Sequence, residues 1–138
     1  MHFTIHADGG ARGNPGPSGA GAVVRDELGN TVAGVSEYLG VRTNNYAEYE
    51  AVILALKKVH ELAKGKLAET SVMVKMDSEL VVKQMNGAYK VKHPDMKAQY
   101  ARLQDLAAPL ALISFAHVPR AQNSDADALA NEAMDRGV

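Results

Sequence analysis

The chain has 138 residues, 46% hydrophobic and 22% charged, and its 16 acidic and 15 basic side chains leave a formal net charge of −1. That is the make-up of one globular domain spanning residues 1–138, which excludes a disordered polar chain; the near-neutral charge also excludes a whole-molecule basic field, so a nucleic-acid partner would have to be held by local patches. The absence of cysteine excludes disulfides, thiolate metal sites and cysteine nucleophiles, and with no apolar run near ~18 residues and no signal-peptide pattern the expectation is a soluble, cytoplasmic protein without membrane association.

From Met1 to Asp8, apolar Phe3, Ile5 and Ala7 alternate with Thr4, His6 and Asp8, the period of a strand with one packed face. Asp8 is expected to end that strand, and the glycine- and proline-rich run from Gly9 to Pro17 to form a loop. β-Rich segments follow at Gly19–Arg25 and Thr31–Tyr38, reversing near Leu28-Gly29-Asn30, so this part reads as a three-strand meander. A long helical pattern succeeds Thr43-Asn44-Asn45 and reaches Lys64. A strand from Ser71 to Met76 then ends at Asp77, and a helix opens at Ser78-Glu79. Gly87 breaks that helix, and Pro94 and Asp95 suit the first turn of the next, which runs to Ala108. The apolar stretch Leu110–Val118 is a short strand, and Ser124 starts a final helix. The order βββαβααβα, with a crossover helix between its halves, predicts an α/β fold: a mixed five-stranded sheet flanked by helices.

Four carboxylates stand out within these elements. At about 100° per residue, Glu48 falls among Ala51, Val52, Ala55, Val59 and Leu62, whereas Glu50, Lys57, Glu61 and Lys64 share the opposite side. Glu48 is therefore expected to face the sheet and Glu50 to face water. A first-turn glutamate gains only ~0.3–1 kcal/mol from the helix dipole, less than an unpaired inward carboxylate costs, which favours a paired or metal-bound role for Glu48. Asp8 and Asp77 each close a strand at its C-terminal end, the edge where open α/β sheets bind ligands. A strand-ending aspartate also serves as a turn former or, before Ser78, as a helix cap. Asp127 borders the apolar stripe of Ala126, Ala130, Ala133 and Met134, while Asp125 projects away from it; the alternative role for Asp127 is a capping box with Ser124. Converging carboxylates without cysteine or a paired-histidine motif favour a hard, oxygen-seeking cation, Mg²⁺ or Mn²⁺, and such sites commonly act on phosphates. Two ions can activate a water and stabilise the leaving oxygen of a phosphodiester, so hydrolysis needs no covalent enzyme intermediate.

The motifs Asp8-Gly9-Gly10 to Asn14-Pro15-Gly16, Thr43-Asn44-Asn45-Tyr46-Ala47-Glu48, Asp77-Ser78 and Asn123-Ser124-Asp125-Ala126-Asp127-Ala128-Leu129-Ala130 together resemble type 1 ribonuclease H over essentially the whole chain. The resemblance implies the ribonuclease H-like fold and a metal-dependent endonuclease that cuts the RNA strand of an RNA/DNA hybrid, leaving 3′-hydroxyl and 5′-phosphate ends. It implies Asp8, Glu48, Asp77 and Asp127 as catalytic metal ligands for two ions per substrate-bound site, and it leaves Glu50 and Asp125 out of that set. The substrate contacts it implies are Gly9, Asn14, Thr43, Asn44 and Asn45, of which the polar side chains can bond a 2′-hydroxyl and the backbone in a minor groove. One of Thr43-Asn44-Asn45 is expected to double as a helix N-cap. The run Gly9 to Gly16 is not a nucleotide P-loop, because no Gly-Lys-Ser/Thr follows; its glycines are expected to permit a tight turn and close backbone approach to substrate.

The chain departs from the family pattern twice. The lysine-rich protrusion with tryptophans is missing, since the region after Met85 is short and holds no Trp. Lys90, Lys92 and Lys97 beside Tyr89, with Lys83 upstream, resemble the matching segment of protrusion-less members and are candidate contacts to a DNA backbone, against a bare scatter of surface charge. The mobile histidine's loop is also short. His117 lies in the strand pattern Phe115–Pro119 and is expected to be packed or sheet-facing, so Arg120 is the better candidate beside the metal site, able to hold a phosphate bidentately but not to shuttle a proton. Two functions compete: a noncatalytic nucleic-acid-binding module, opposed by the four intact acidic positions, and a magnesium phosphohydrolase of small molecules, opposed by the lack of a second aspartate after Asp8. A monomer with no obligate protein partner is expected.

Overall fold

The computed structural model describes residues 1–138. Five strands form one sheet: β1 (His2–Ala11), β2 (Gly16–Arg25), β3 (Thr31–Arg42), β4 (Ser71–Met76) and β5 (Leu112–His117). Four α-helices accompany them: α1 (Asn44–Leu62), α2 (Glu79–Met85), α3 (Pro94–Ala107) and α4 (Ser124–Arg136). The sheet order is β3-β2-β1-β4-β5, antiparallel from β3 to β1 and parallel from β1 to β5, with α1 as the crossover between the two halves. This is the mixed five-stranded α/β architecture expected from the element order. No helix is long and apolar enough to cross a membrane.

The first three strands run further than their local pattern, whereas β5 is shorter than the expected Leu110–Val118. β1 does not end at Asp8, because Gly9, Gly10 and Ala11 continue to pair with Ala20, Gly19 and Ser18 of β2. The expected loop from Gly9 to Pro17 shrinks to residues 12–15. Glycine has a poor strand propensity, and the ladder with β2 overrides it. Gly9 is needed for packing: a Cβ there would lie 2.3 Å from the Ala47 carbonyl carbon, so only glycine lets α1 sit this close to the sheet. Gly21 does the same on the other side, where a Cβ would lie 2.3 Å from the Ala126 carbonyl oxygen of α4. Successive strand residues point to opposite faces, and Gly9 meets α1 while Gly10 meets Met134 of α4, so the two helices cover opposite faces of the sheet.

α1 is buried on more than its sheet side. Tyr49, Val52, Ile53, Leu56 and Val59 are fully buried, and α3 packs along the helix as well. Glu50 is consequently not water-facing as expected but only 8% exposed. Gln99 Nε2 and Arg102 Nη1, both from α3, donate to its Oε1 at 2.9 Å and 2.7 Å. A helical wheel locates one apolar stripe; it does not foresee that a second helix covers the polar flank. Leu62, expected inward, is exposed at the end of α1.

These contacts set two stability expectations. Glu50→Ala removes two bonds to a charged group and leaves the Gln99 amide buried without that acceptor, which should cost ~1.5–3 kcal/mol. Gly21→Ala should cost ~1–3 kcal/mol by pushing α4 off the sheet. Urea midpoints with unchanged slopes would report both, and wild-type midpoints would mean that α3 and α4 are not seated as described.

Candidate active site

The parallel register pairs Ala7 of β1 with Met76 of β4, so the next residues, Asp8 and Asp77, emerge side by side. From there β1 continues along β2, with Asp8 opposite Gly21, while β4 ends. The sheet thus opens a crevice at the carboxyl end of a strand, where open α/β sheets take ligands. Glu48 arrives from α1, whose N-cap is Thr43: its Oγ1 accepts from the Tyr46 amide at 3.2 Å. Because the helix starts at Asn44, Glu48 is beyond the first turn, which holds no acidic residue, and the helix dipole does not account for it.

Asp127 comes from the first turn of α4 on the opposite face. The capping box with Ser124 does not form, since Ser124 is itself the first helical residue. What holds the start of α4 is Asn123, fully buried, whose Nδ2 donates 2.8 Å to the Ala7 carbonyl immediately before Asp8. Its Oδ1 is buried without a partner. Asp125, as expected, projects outward, where it pairs with Arg25 at 2.7 Å.

All four carboxylates line one open cleft of ≈ 580 Å³. Asp8 is buried, and its carboxyl is pushed up to about 8, first by burial, then by the charge of Asp77, then by a hydrogen bond with Asp127 and the charges of Asp127 and Glu48. Glu48 is pushed up to about 7, chiefly by burial; the hydrogen-bonded Ser78 hydroxyl works against this, and the charge of Asp77 works with it. Ionised carboxylates only accept, so a hydrogen bond between Asp8 and Asp127 requires one of them to keep a proton. The cation paired with this set is Arg120, whose Nε lies 3.6 Å from Asp77 Oδ2 while its side chain is 84% exposed. No three of the acids close into a ready-made cage. The donor set fits a hard divalent cation even so: four carboxylates, no histidine in the cleft lining, and two acids held above their usual range by burial first and by neighbouring negative charge second.

The expected substrate contacts are close by. Gly9, Asn44, Asn45 and Arg120 line the cleft itself. An adjoining hollow of ≈ 400 Å³ holds Asn14, Thr43 and again Asn45, together with Arg42 and His93. The loops brace one another, the Asn14 side chain accepting from the Asn44 amide at 3.0 Å and the Asn44 side chain from the Ala11 amide at 2.7 Å. Lys90 and Lys97 line a separate hollow with Tyr89 and Tyr100, and Lys92 is exposed in the segment between; none of the three joins the carboxylates. His117 lies in the β5 ladder opposite Met76, and of the two expectations, packed or sheet-facing, packing fails: its side chain is exposed at the last residue of an edge strand. Arg12, Ser78 and Asn131 also line the cleft and were not foreseen. Ser78 carried a signal, its place beside Asp77, which reads equally as a helix cap; it is both, since it also accepts from the Val81 amide.

Sheet order, crossover and acid-lined crevice define the class: an α/β protein of the ribonuclease H-like fold. The reverse transcriptase-like family profile matches residues 6–133, and the chain belongs to that family. The N-terminal RNase H domain of Rv2228c from Mycobacterium tuberculosis, solved as a maltose-binding protein fusion, aligns with a TM-score of 0.91 and 46% identity over 98% of this chain and 100% of that one. LC11-RNase H1 in complex with RNA/DNA hybrid aligns with a TM-score of 0.91 and 47% identity over 97% of each. In sequence, the bifunctional protein Rv2228c of M. tuberculosis is 48% identical over 136 residues, covering 98% of this chain and 36% of the relative. Ribonuclease HI of Halobacterium salinarum is 41% identical over 133 residues, 95% of this chain and 64% of the relative. The chain thus spans about a third of the mycobacterial protein and under two thirds of the halobacterial one.

The raised carboxyls carry a pH dependence. From the ordinary carboxylate range near ~4 up to about 8 for Asp8 and about 7 for Glu48, the folded protein holds protons that the unfolded chain has released. Stability of the cation-free protein from these groups is therefore complete below ~4 and is lost as pH rises towards 8, by at most ~1.4 kcal/mol per pH unit per proton. Asp8→Asn, which has no proton to lose and so gains no charge, should gain on the wild type progressively from about pH 5 to about pH 8 in thermal unfolding with chelator. A constant difference across that range would show that burial and the neighbouring charges do not raise the Asp8 carboxyl.

Proposed function

We propose that residues 1–138 form a single type 1 ribonuclease H domain, a divalent-metal-dependent endonuclease that hydrolyses the RNA strand of RNA/DNA hybrids and leaves 3′-hydroxyl and 5′-phosphate ends. The observation that carries this is the convergence of Asp8, Glu48, Asp77 and Asp127 in one cleft, where burial and then mutual repulsion raise the carboxyls of Asp8 and Glu48. The substrate class is supported by the 47% identity to LC11-RNase H1, whose solved complex contains an RNA/DNA hybrid. One chain supplies all four carboxylates, so the proposed working unit is a monomer.

In this proposal the four carboxylates would hold two Mg²⁺ ions when substrate is bound, with Mn²⁺ as a substitute, and the ions would supply an activated water and charge neutralisation at the phosphate. Asn14, Thr43, Asn44 and Asn45 present amides and a hydroxyl between the cleft and the adjoining hollow. There they bond 2′-hydroxyls and sugar-phosphate backbone across a shallow minor groove, which selects RNA as the cut strand. Gly9 keeps the backbone bare beside Glu48, since any side chain there would displace α1. Arg120 clasps a phosphate next to Asp77; always charged, it orients but transfers no proton. Lys90, Lys92 and Lys97 follow the phosphates of the DNA strand outside the cleft. Residues 86–93 form a short connection without tryptophan in place of a basic protrusion, and no histidine lies between His117 and Asp127, so Arg120 stands in place of a mobile histidine.

The test is cleavage of an end-labelled RNA/DNA hybrid, alongside all-RNA and all-DNA duplexes, in Mg²⁺, in Mn²⁺ and in chelator. Metal-dependent cutting of only the hybrid's RNA strand, abolished in Asp77→Asn, is the expected outcome. A folded protein that binds hybrid and cuts it in neither metal would instead be a binding module.

A further inference from the structure

We infer that Arg12 is a second phosphate-holding side chain of the cleft, resting on Asp135 in the free protein and passing to a backbone phosphate of the bound hybrid. This rests on the substrate class proposed above. Arg12 lines the same cleft as the four carboxylates and Arg120. In the sheet order the two arginines flank the Asp8 and Asp77 pair, Arg12 from the β1–β2 turn and Arg120 from the chain leaving β5. A polyanion entering an acid-lined cleft needs cations on its flanks, and Arg120 serves one flank only.

The main chain around Arg12 is held rigidly. Its amide donates 2.8 Å to the Pro17 carbonyl, the preceding Ala11 amide donates 2.7 Å to the Asn44 side chain, and its carbonyl packs so tightly on Gly16 that a Cβ there would lie 2.2 Å away. The side chain is held weakly. It is 48% exposed, and its ion-pair partner is Asp135 on the last turn of α4, at 2.5 Å and 70% exposed. An exposed pair of this kind contributes only ~0–1 kcal/mol, so a phosphate can displace Asp135 at little cost. The guanidinium fork matches two phosphate oxygens as well as it matches a carboxylate. A braced main chain, a half-exposed guanidinium and an exposed partner suit a contact that changes hands on binding; a clamp between turn and helix would be buried.

The two roles give opposite signs in mutants. Hybrid binding is measured by fluorescence anisotropy in chelator across a salt series, with steady-state cleavage in Mg²⁺ alongside. Arg12→Ala should bind roughly three- to tenfold more weakly and lower the slope of log affinity against log salt by about one, with the kinetic loss falling on KM rather than on kcat. Asp135→Asn should bind more tightly than the wild type, and that gain should vanish when Arg12→Ala is combined with it. Wild-type affinity and slope in Arg12→Ala would overturn the inference, as would equal losses of affinity and thermal stability in both single variants, the signature of a structural clamp. Should the wild type bind hybrid without cutting it, the nuclease proposal falls and the salt slopes still decide the role of Arg12. Should it not bind hybrid, both fall.

Discussion

The structure depends on the pairing register of β1 with β4. Phe3, Ile5 and Ala7 on one strand and Val72, Val74 and Met76 on the other are all buried, and Ala7 stands opposite Met76. A slip of one residue would turn every one of these side chains to the wrong face, so core packing enforces the register strongly. The same register sets Asp8 beside Asp77 at the edge of the sheet, where their repulsion is the by-product of burying their neighbours. The apolar core therefore supplies the free energy that keeps like charges together, and the cleft inherits an appetite for cations from the way the strands pack.

The other two acids reach the crevice from opposite faces of the sheet, and each depends on a close approach. α1 rests on Gly9 and brings Glu48; α4 rests on Gly21 and brings Asp127. Asn123 fixes the start of α4 to the Ala7 carbonyl and leaves its own oxygen buried without a partner. Raised carboxyls and an orphaned amide oxygen are local departures from a well-satisfied interior, and they cluster at the one place where the chain brings its acids together. Departures of this kind are expected where a fold gives up stability to hold a functional arrangement.

Cationic groups are distributed around this centre in a way the near-zero net charge conceals. Arg120 and Arg12 flank the carboxylates, Arg42 stacks over Tyr46 at 4.5 Å beside the Asn14 and Thr43 hollow, and Lys83 sits 5.1 Å over Tyr89 near Lys90 and Lys97. Attraction to a polyanion then falls to short-range contacts at separate stations along a surface, with the acidic cleft between them. That is the arrangement a local-patch mode of nucleic-acid binding requires in a chain without a global basic field.

Local signals in the sequence were enough for the order of elements and for the positions of the four acids. Strand alternation, the Thr43 cap, the Gly87 break and Pro94 at a helix start depend on near neighbours in the chain, and so does the fall of Asp8 and Asp77 at the ends of apolar runs. Other features arise only between elements distant in sequence. β1 extends to Ala11 because β2 pairs with it, Glu50 is buried because α3 covers α1 a second time, His117 is exposed because no strand lies beyond β5, and Arg12 reaches the cleft because the β1–β2 turn is braced by Asn44. The sequence by itself determined which segments become strands and helices and where along them the four cleft acids fall, because periodicity and caps are local properties of the chain. Only the tertiary structure decided which faces are covered and which side chains share the cleft, because burial is settled by whatever segment, however remote, comes to lie on top.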